Sequence, residues 1–183
     1  MSNEKVKLYH EKQRLQLCGL HSLNSLFQKK VFSKETLDSF VNKHDKSRFW
    51  NEYSTFLTGN YDLRILMDAL ESKGYVLRAI DSSECFEAFS YKNCLGLLLN
   101  IAVERPFISS IPIVCSFVKS GRHWLTIKSV DEEKYYNFDS KFSRPELIGY
   151  ESDLIAYLNK LDRVQTYIYI VIEESIAAKF EQE

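Results

Sequence analysis

The period of the hydrophobic residues changes at Gly74. Before it, apolar residues recur at helical spacing: Leu20, Leu23, Leu26 and Phe27, then Leu37, Phe40 and Val41, then Leu63, Leu66, Met67 and Leu70. After it, short β-branched and aromatic runs take over, at 75–80, 94–99, 113–118, 123–130, 134–139 and 164–172. One further helical stretch, 151–161, turns Leu154, Ile155, Leu158 and Leu161 to one side. Helices first and strands later, with hairpin-sized connections, define an α+β chain whose N-terminal helices pack on a largely antiparallel sheet.

Local punctuation supports that division. Ser33 followed by Glu35 reads as the start of the second helix, Asn60 as the cap of the third, and Gly74 as its left-handed stop. The first helix, about 18–28, has no strong cap. At 183 residues the chain is long enough for one sizeable core. A single domain over 1–175 and a charged tail over 176–183 are expected.

A net charge of −1 calls for neither nucleic acid nor an anionic membrane as partner. The longest apolar stretches, 95–99 and 111–114, are too short to span a bilayer. Met1-Ser2-Asn3-Glu4-Lys5 lacks the apolar core of a signal peptide, so a cytoplasmic monomer is expected, with nuclear or membrane-associated pools left open. Cys18, Cys85, Cys94 and Cys115 form no C-x-x-C pair, which argues against structural zinc, and reduced thiols are expected rather than disulfides. Core packing suits Cys85, Cys94 and Cys115. No phosphate loop or cofactor motif is present, so no cofactor and no metal are expected.

Cys18 stands apart because it opens a helix. Unsatisfied N–H groups and the helix dipole at that end stabilise negative charge, and a thiol near a protonated histidine loses its proton more readily. Downstream, His123 starts one strand and Asp139 ends the next. A turn centred on Asp131 places His123 directly opposite Asp139, with Cβ atoms about 5 Å apart. A slip of one residue would put the two on opposite faces. A thiol, an imidazole and an orienting carboxylate are the parts of a thiol nucleophile system. The Cys18 backbone N–H and the Gln13 side chain are candidate oxyanion donors. From the residues alone, Cys18 fits a core position as well as a nucleophile. His21 suits a structural polar contact, His10 and His44 suit loop or surface positions, and Trp124 suits strand packing or shielding of the site.

The segments Tyr9-His10-Glu11-Lys12-Gln13, Leu17-Cys18, Gly59-Asn60-Tyr61-Asp62, Gly121-Arg122-His123-Trp124 and Tyr135-Tyr136-Asn137-Phe138-Asp139-Ser140-Lys141 closely resemble the Josephin family. The order and spacing hold from about residue 8 to residue 172, nearest to the small stand-alone members. The resemblance implies a papain-like fold and a cysteine deubiquitinase acting on ubiquitin and ubiquitinated proteins, cleaving after the C-terminal glycine of ubiquitin. It implies Cys18 as nucleophile, His123 as general base, Asp139 as third member and Gln13 as oxyanion donor. It also implies ubiquitin contacts by Trp124 and by the third helix at Leu63, Arg64 and Lys73, where a relative carries Trp in place of Lys73. A non-catalytic ubiquitin-binding module and a ubiquitin acyltransferase using the same Cys–His pair are the alternatives.

Overall fold

A computed structural model describes residues 7–14, 16–44, 61–103, 121–131 and 133–180. The strand expected at 113–118, Cys115 and the Asn60 cap lie outside these residues. In chain order the elements are α1 (Cys18–Leu26), α2 (Lys34–His44), α3 (Leu63–Glu71), β1 (Tyr75–Ile80), β2 (Gly96–Val103), β3 (Gly121–Asp131), β4 (Lys134–Asn137), β5 (Glu146–Gly149), α4 (Glu151–Asn159), β6 (Thr166–Glu173) and α5 (Glu174–Phe180). Two 3₁₀ turns, Phe86–Ala88 and Tyr91–Asn93, lie between β1 and β2. The strands form one six-stranded sheet, β1-β6-β2-β3-β4-β5, with every adjacent pair antiparallel. The α+β, antiparallel architecture expected from the sequence is the one observed.

Alternation along the strands gives the sheet two apolar faces. Leu98, Trp124 and Val171 pack with Leu20, Leu23 and Leu26 of α1 and with Ile65, Leu66 and Leu70 of α3. Leu97, Leu99, Leu125, Ile127, Ile168 and Ile170 pack on the opposite side with Leu154 and Leu158 of α4. Helix α3 is capped by Asp62 and not by Asn60 as expected, because the helix starts at Leu63 and the Asp62 side chain accepts from the Ile65 N–H. The stop at Gly74 is observed, with φ +77°. At Gly96 a Cβ would lie 2.9 Å from the Ile127 carbonyl oxygen, so this close approach of β2 to β3 requires glycine. Helix α5 lies across the boundary expected at 175, and Ala177 packs on the α4-side core.

The β3–β4 register differs from the one expected. Ile127 faces Asn137 and Lys128 faces Tyr136, whereas a turn centred on Asp131 would bring Ile127 opposite Tyr135. Asp131 itself pairs with Lys134, so the connection is shorter, and a bulge between Ser129 and Asp131 restores one position. Glu133 completes the turn at φ +77°. The net displacement of two residues is even, so each side chain keeps its face. The paired strand ends at Asn137, which leaves Asp139 beyond the ladder.

Candidate active site

Cys18 is the first residue of α1 and only 4% exposed. Its N-cap, Leu17, offers no side-chain acceptor to the first turn, so the dipole end faces the sulfur unneutralised. The His123 side chain and the backbone N–H groups of Trp124 and Gly19 stabilise the thiolate form of Cys18. His123 projects from β3 on the face of Leu125, next to Trp124, which belongs to the same core cluster as Cys18, and is 2% exposed. Its Nε2 lies 2.6 Å from Asp139 Oδ1. That bond leaves Nδ1 as the ring nitrogen toward Cys18 and fixes the tautomer.

Asp139 reaches His123 from the turn after β4. Its Oδ1 also accepts the Lys141 N–H at 2.8 Å. Burial pushes the Asp139 carboxyl up, but the bonds from His123 and the Lys141 N–H hold it below the usual carboxylate range. Burial pulls His123 down, and its bonds to Asp139 and Cys18 raise it above the ordinary imidazole value. Burial pushes the Cys18 thiol up, yet the His123 hydrogen bond, the Trp124 N–H and the imidazole charge bring it below an ordinary thiol. Hydrogen bonds and opposite charge outweigh desolvation in all three, which favours a thiolate–imidazolium pair braced by a carboxylate.

Gln13 sits on a segment laid between α1 and the 139–142 turn. Its backbone N–H donates to the Ser140 carbonyl at 2.7 Å, and the Ser140 hydroxyl donates to Gln13 Oε1 at 3.5 Å. Glu11 anchors this strap. Its carboxylate accepts from His21 Nδ1 at 2.5 Å, from Asn24 Nδ2 at 3.2 Å and from the Tyr9 hydroxyl. The Arg14 N–H donates to His21 Nε2 at 3.4 Å, so the His21 proton sits on Nδ1. Two further bonds, Tyr9 N–H to Gln28 Oε1 and His10 Nε2 to the Phe142 carbonyl, tie the strap to both sides.

Gln13, Gln16, Cys18, Val103, Gly121, Arg122, His123 and Lys141 line a cleft of about 310 Å³. The four expected chemical positions therefore converge. The expected substrate contacts do not join them. Trp124 is a core residue, 4% exposed, with its indole N–H donated to the Tyr61 carbonyl at 3.2 Å and its ring 6.1 Å from that of Tyr169. It points to the helix face of the sheet because it alternates with His123, so it offers substrate no surface. Arg64 and Lys73 are exposed and Leu63 half-buried, all away from the cleft lining, and Lys73 lies over the Phe32 ring.

Sequence reasoning did not find the Glu11 anchor or the clamp on Arg122. Arg122 donates to the Asn100 side chain and carbonyl and stacks 4.3 Å over Tyr167. His21, one helical turn after Cys18, was the available signal for the strap, and the structural contact expected of it is present.

The fold and the buried Cys–His–Asp arrangement define a papain-like α+β protein. Residues 13–172 match the Josephin family model, and the chain belongs to that family. It is 35% identical over 153 residues to Josephin-2 of Homo sapiens, covering 82% of this chain and 78% of the relative. It is 29% identical over 174 residues to a Josephin-like protein of Drosophila melanogaster, covering 94% and 76%. With Ataxin-3 of Homo sapiens the identity is 28% over 182 residues, covering 90% of this chain and 45% of that protein. Family membership supports a deubiquitinase-type function in general. Among the described residues no helix is long and apolar enough to cross a membrane.

Proposed function

We propose that the chain is a cysteine deubiquitinase that hydrolyses the bond after the C-terminal glycine of ubiquitin. The observation that carries this reading is the buried line Cys18–His123–Asp139, with His123 Nε2 2.6 Å from Asp139 Oδ1, opening on one cleft with Gln13. The Cys18 thiolate attacks the glycine carbonyl carbon and forms a tetrahedral oxyanion. The Cys18 N–H and the Gln13 amide donate to that oxygen, each worth about 10²- to 10³-fold in rate. His123, protonated, gives its proton to the leaving lysine amine as the C–N bond breaks. Water, deprotonated by His123, then attacks the thioester carbon, the C–S bond breaks, and the free carboxylate departs with the Cys18 thiolate restored beside protonated His123. Leu63, Arg64 and Lys73 supply a ubiquitin contact outside the cleft in this reading.

Ubiquitin bearing an electrophile at its C-terminus tests it. The wild type should form a covalent adduct and Cys18→Ala none. An adduct that survives Cys18→Ala, or binding without any adduct in the wild type, overturns the assignment.

A further inference from the structure

The strand that should have delivered Asp139 stops two residues short of it, so something other than the β ladder must hold the carboxylate. We infer that Asn137 is the positioning residue for Asp139 and that Tyr157 of α4 orients Asn137. The inference rests on the triad reading above.

Asn137 is the last residue of β4 and is 6% exposed. Its Oδ1 accepts the Asp139 N–H at 2.9 Å, an Asx turn that fixes the backbone at Asp139. Its Nδ2 donates to the Tyr157 hydroxyl oxygen at 3.3 Å. With the amide oxygen and nitrogen each engaged, the amide has one orientation. Asp139 repeats the device with the Lys141 N–H on its own Oδ1. Two successive Asx turns thus carry the chain from the end of the sheet to the imidazole. Tyr157 belongs to the helix packed on the same sheet face as His123, beside Leu154 and Leu158. The resulting order is Tyr157, Asn137, Asp139, His123, Cys18, in which only the last two touch the reacting atoms. A side chain at 137 that cannot accept leaves a buried N–H unpaired and frees the turn to drift.

The test uses the full chain, a ubiquitin C-terminal fluorogenic amide, and thermal melts of each variant. Asn137→Ala should lower kcat about 10-fold with KM unchanged, short of the roughly 10²-fold that a misplacement of about 1 Å can cost. Asn137→Ser, whose hydroxyl can still accept the N–H, should recover part of that loss. Tyr157→Phe, which removes one hydroxyl and preserves packing, should show a smaller kcat loss and stands in if Asn137→Ala fails to fold. Asn137→Ala combined with Asp139→Ala should be no slower than Asp139→Ala alone, because both act through one carboxylate. Losses that multiply, a change confined to KM, or wild-type turnover in Asn137→Ala and Tyr157→Phe overturn the positioning role while leaving the triad intact. Wild-type turnover in Asp139→Ala removes the triad reading and this role with it.

Discussion

At Cys18, burial opposes hydrogen bonding and charge, and the latter two win. Desolvation alone would raise the thiol, but His123 and two backbone N–H groups bring it down, while Asp139 and Cys18 hold His123 up. The two titrate as a pair, so activity should follow the population of the thiolate–imidazolium form. Turnover should rise with pH through a value below that of an ordinary thiol. It should fall as His123 loses its proton above the ordinary imidazole value. Asp139→Ala removes the bond that raises His123, so the falling limb should move to lower pH. Initial rates across roughly pH 5–10 read this directly, and an unmoved falling limb in Asp139→Ala contradicts it. His123→Ala should cost more, about 10²- to 10⁴-fold, because it removes the proton carrier itself. An Asp139→Ala loss equal to or larger than that of His123→Ala would contradict those roles.

Single elements show which parts of the sequence carried their own meaning. Helix α1 begins at Cys18 and the change of period at Gly74 is real, because both depend on local spacing and on one left-handed residue. The meeting of His123 with Asp139 was legible, but alternation accounts only for the face of His123, since Asp139 lies past the end of β4. The register itself was not, because it depended on a two-residue turn and a bulge that local composition does not specify. Strand β5 was missed for a related reason: its four residues lie at the sheet edge with Leu147 58% exposed, so they show no buried alternation. Of the strap holding Gln13 the sequence showed only His21 as a structural polar contact, because Glu11, His21 and Asn24 meet only after α1 has formed. Its dependence on Glu11 gives a prediction at this scale. Glu11→Ala leaves His21 Nδ1, Asn24 Nδ2 and the Tyr9 hydroxyl without their shared acceptor. The cost should be about 2–4 kcal/mol in chemical denaturation, with turnover falling further than the folded fraction because Gln13 loses its seat. Turnover that merely tracks the folded fraction would show that the 140-side bonds hold Gln13 unaided.

The candidate site joins the two layers of the whole molecule. Cys18 comes from the helical layer, His123 from the sheet, and Asp139 is steadied from the α4 side. Neither layer can loosen without separating the sulfur from its imidazole. Leu23 anchors α1 in one core and Ile127 lies on β3 in the other, and both are completely buried. Leu23→Ala should destabilise by about 2–5 kcal/mol, and Ile127→Ala by a similar amount. If the layers unfold together, each variant should lose helical circular dichroism and reactivity toward the ubiquitin electrophile at one shared midpoint. The alternative is separable layers, in which Ile127→Ala would melt the α4 side while Cys18 and the α1 end stayed folded. Labelling would then be lost at a lower temperature than the α1–α3 ellipticity, and two midpoints would replace one. The sheet argues against that outcome, since β2, β3 and β6 present side chains to both cores and cannot be ordered for one alone.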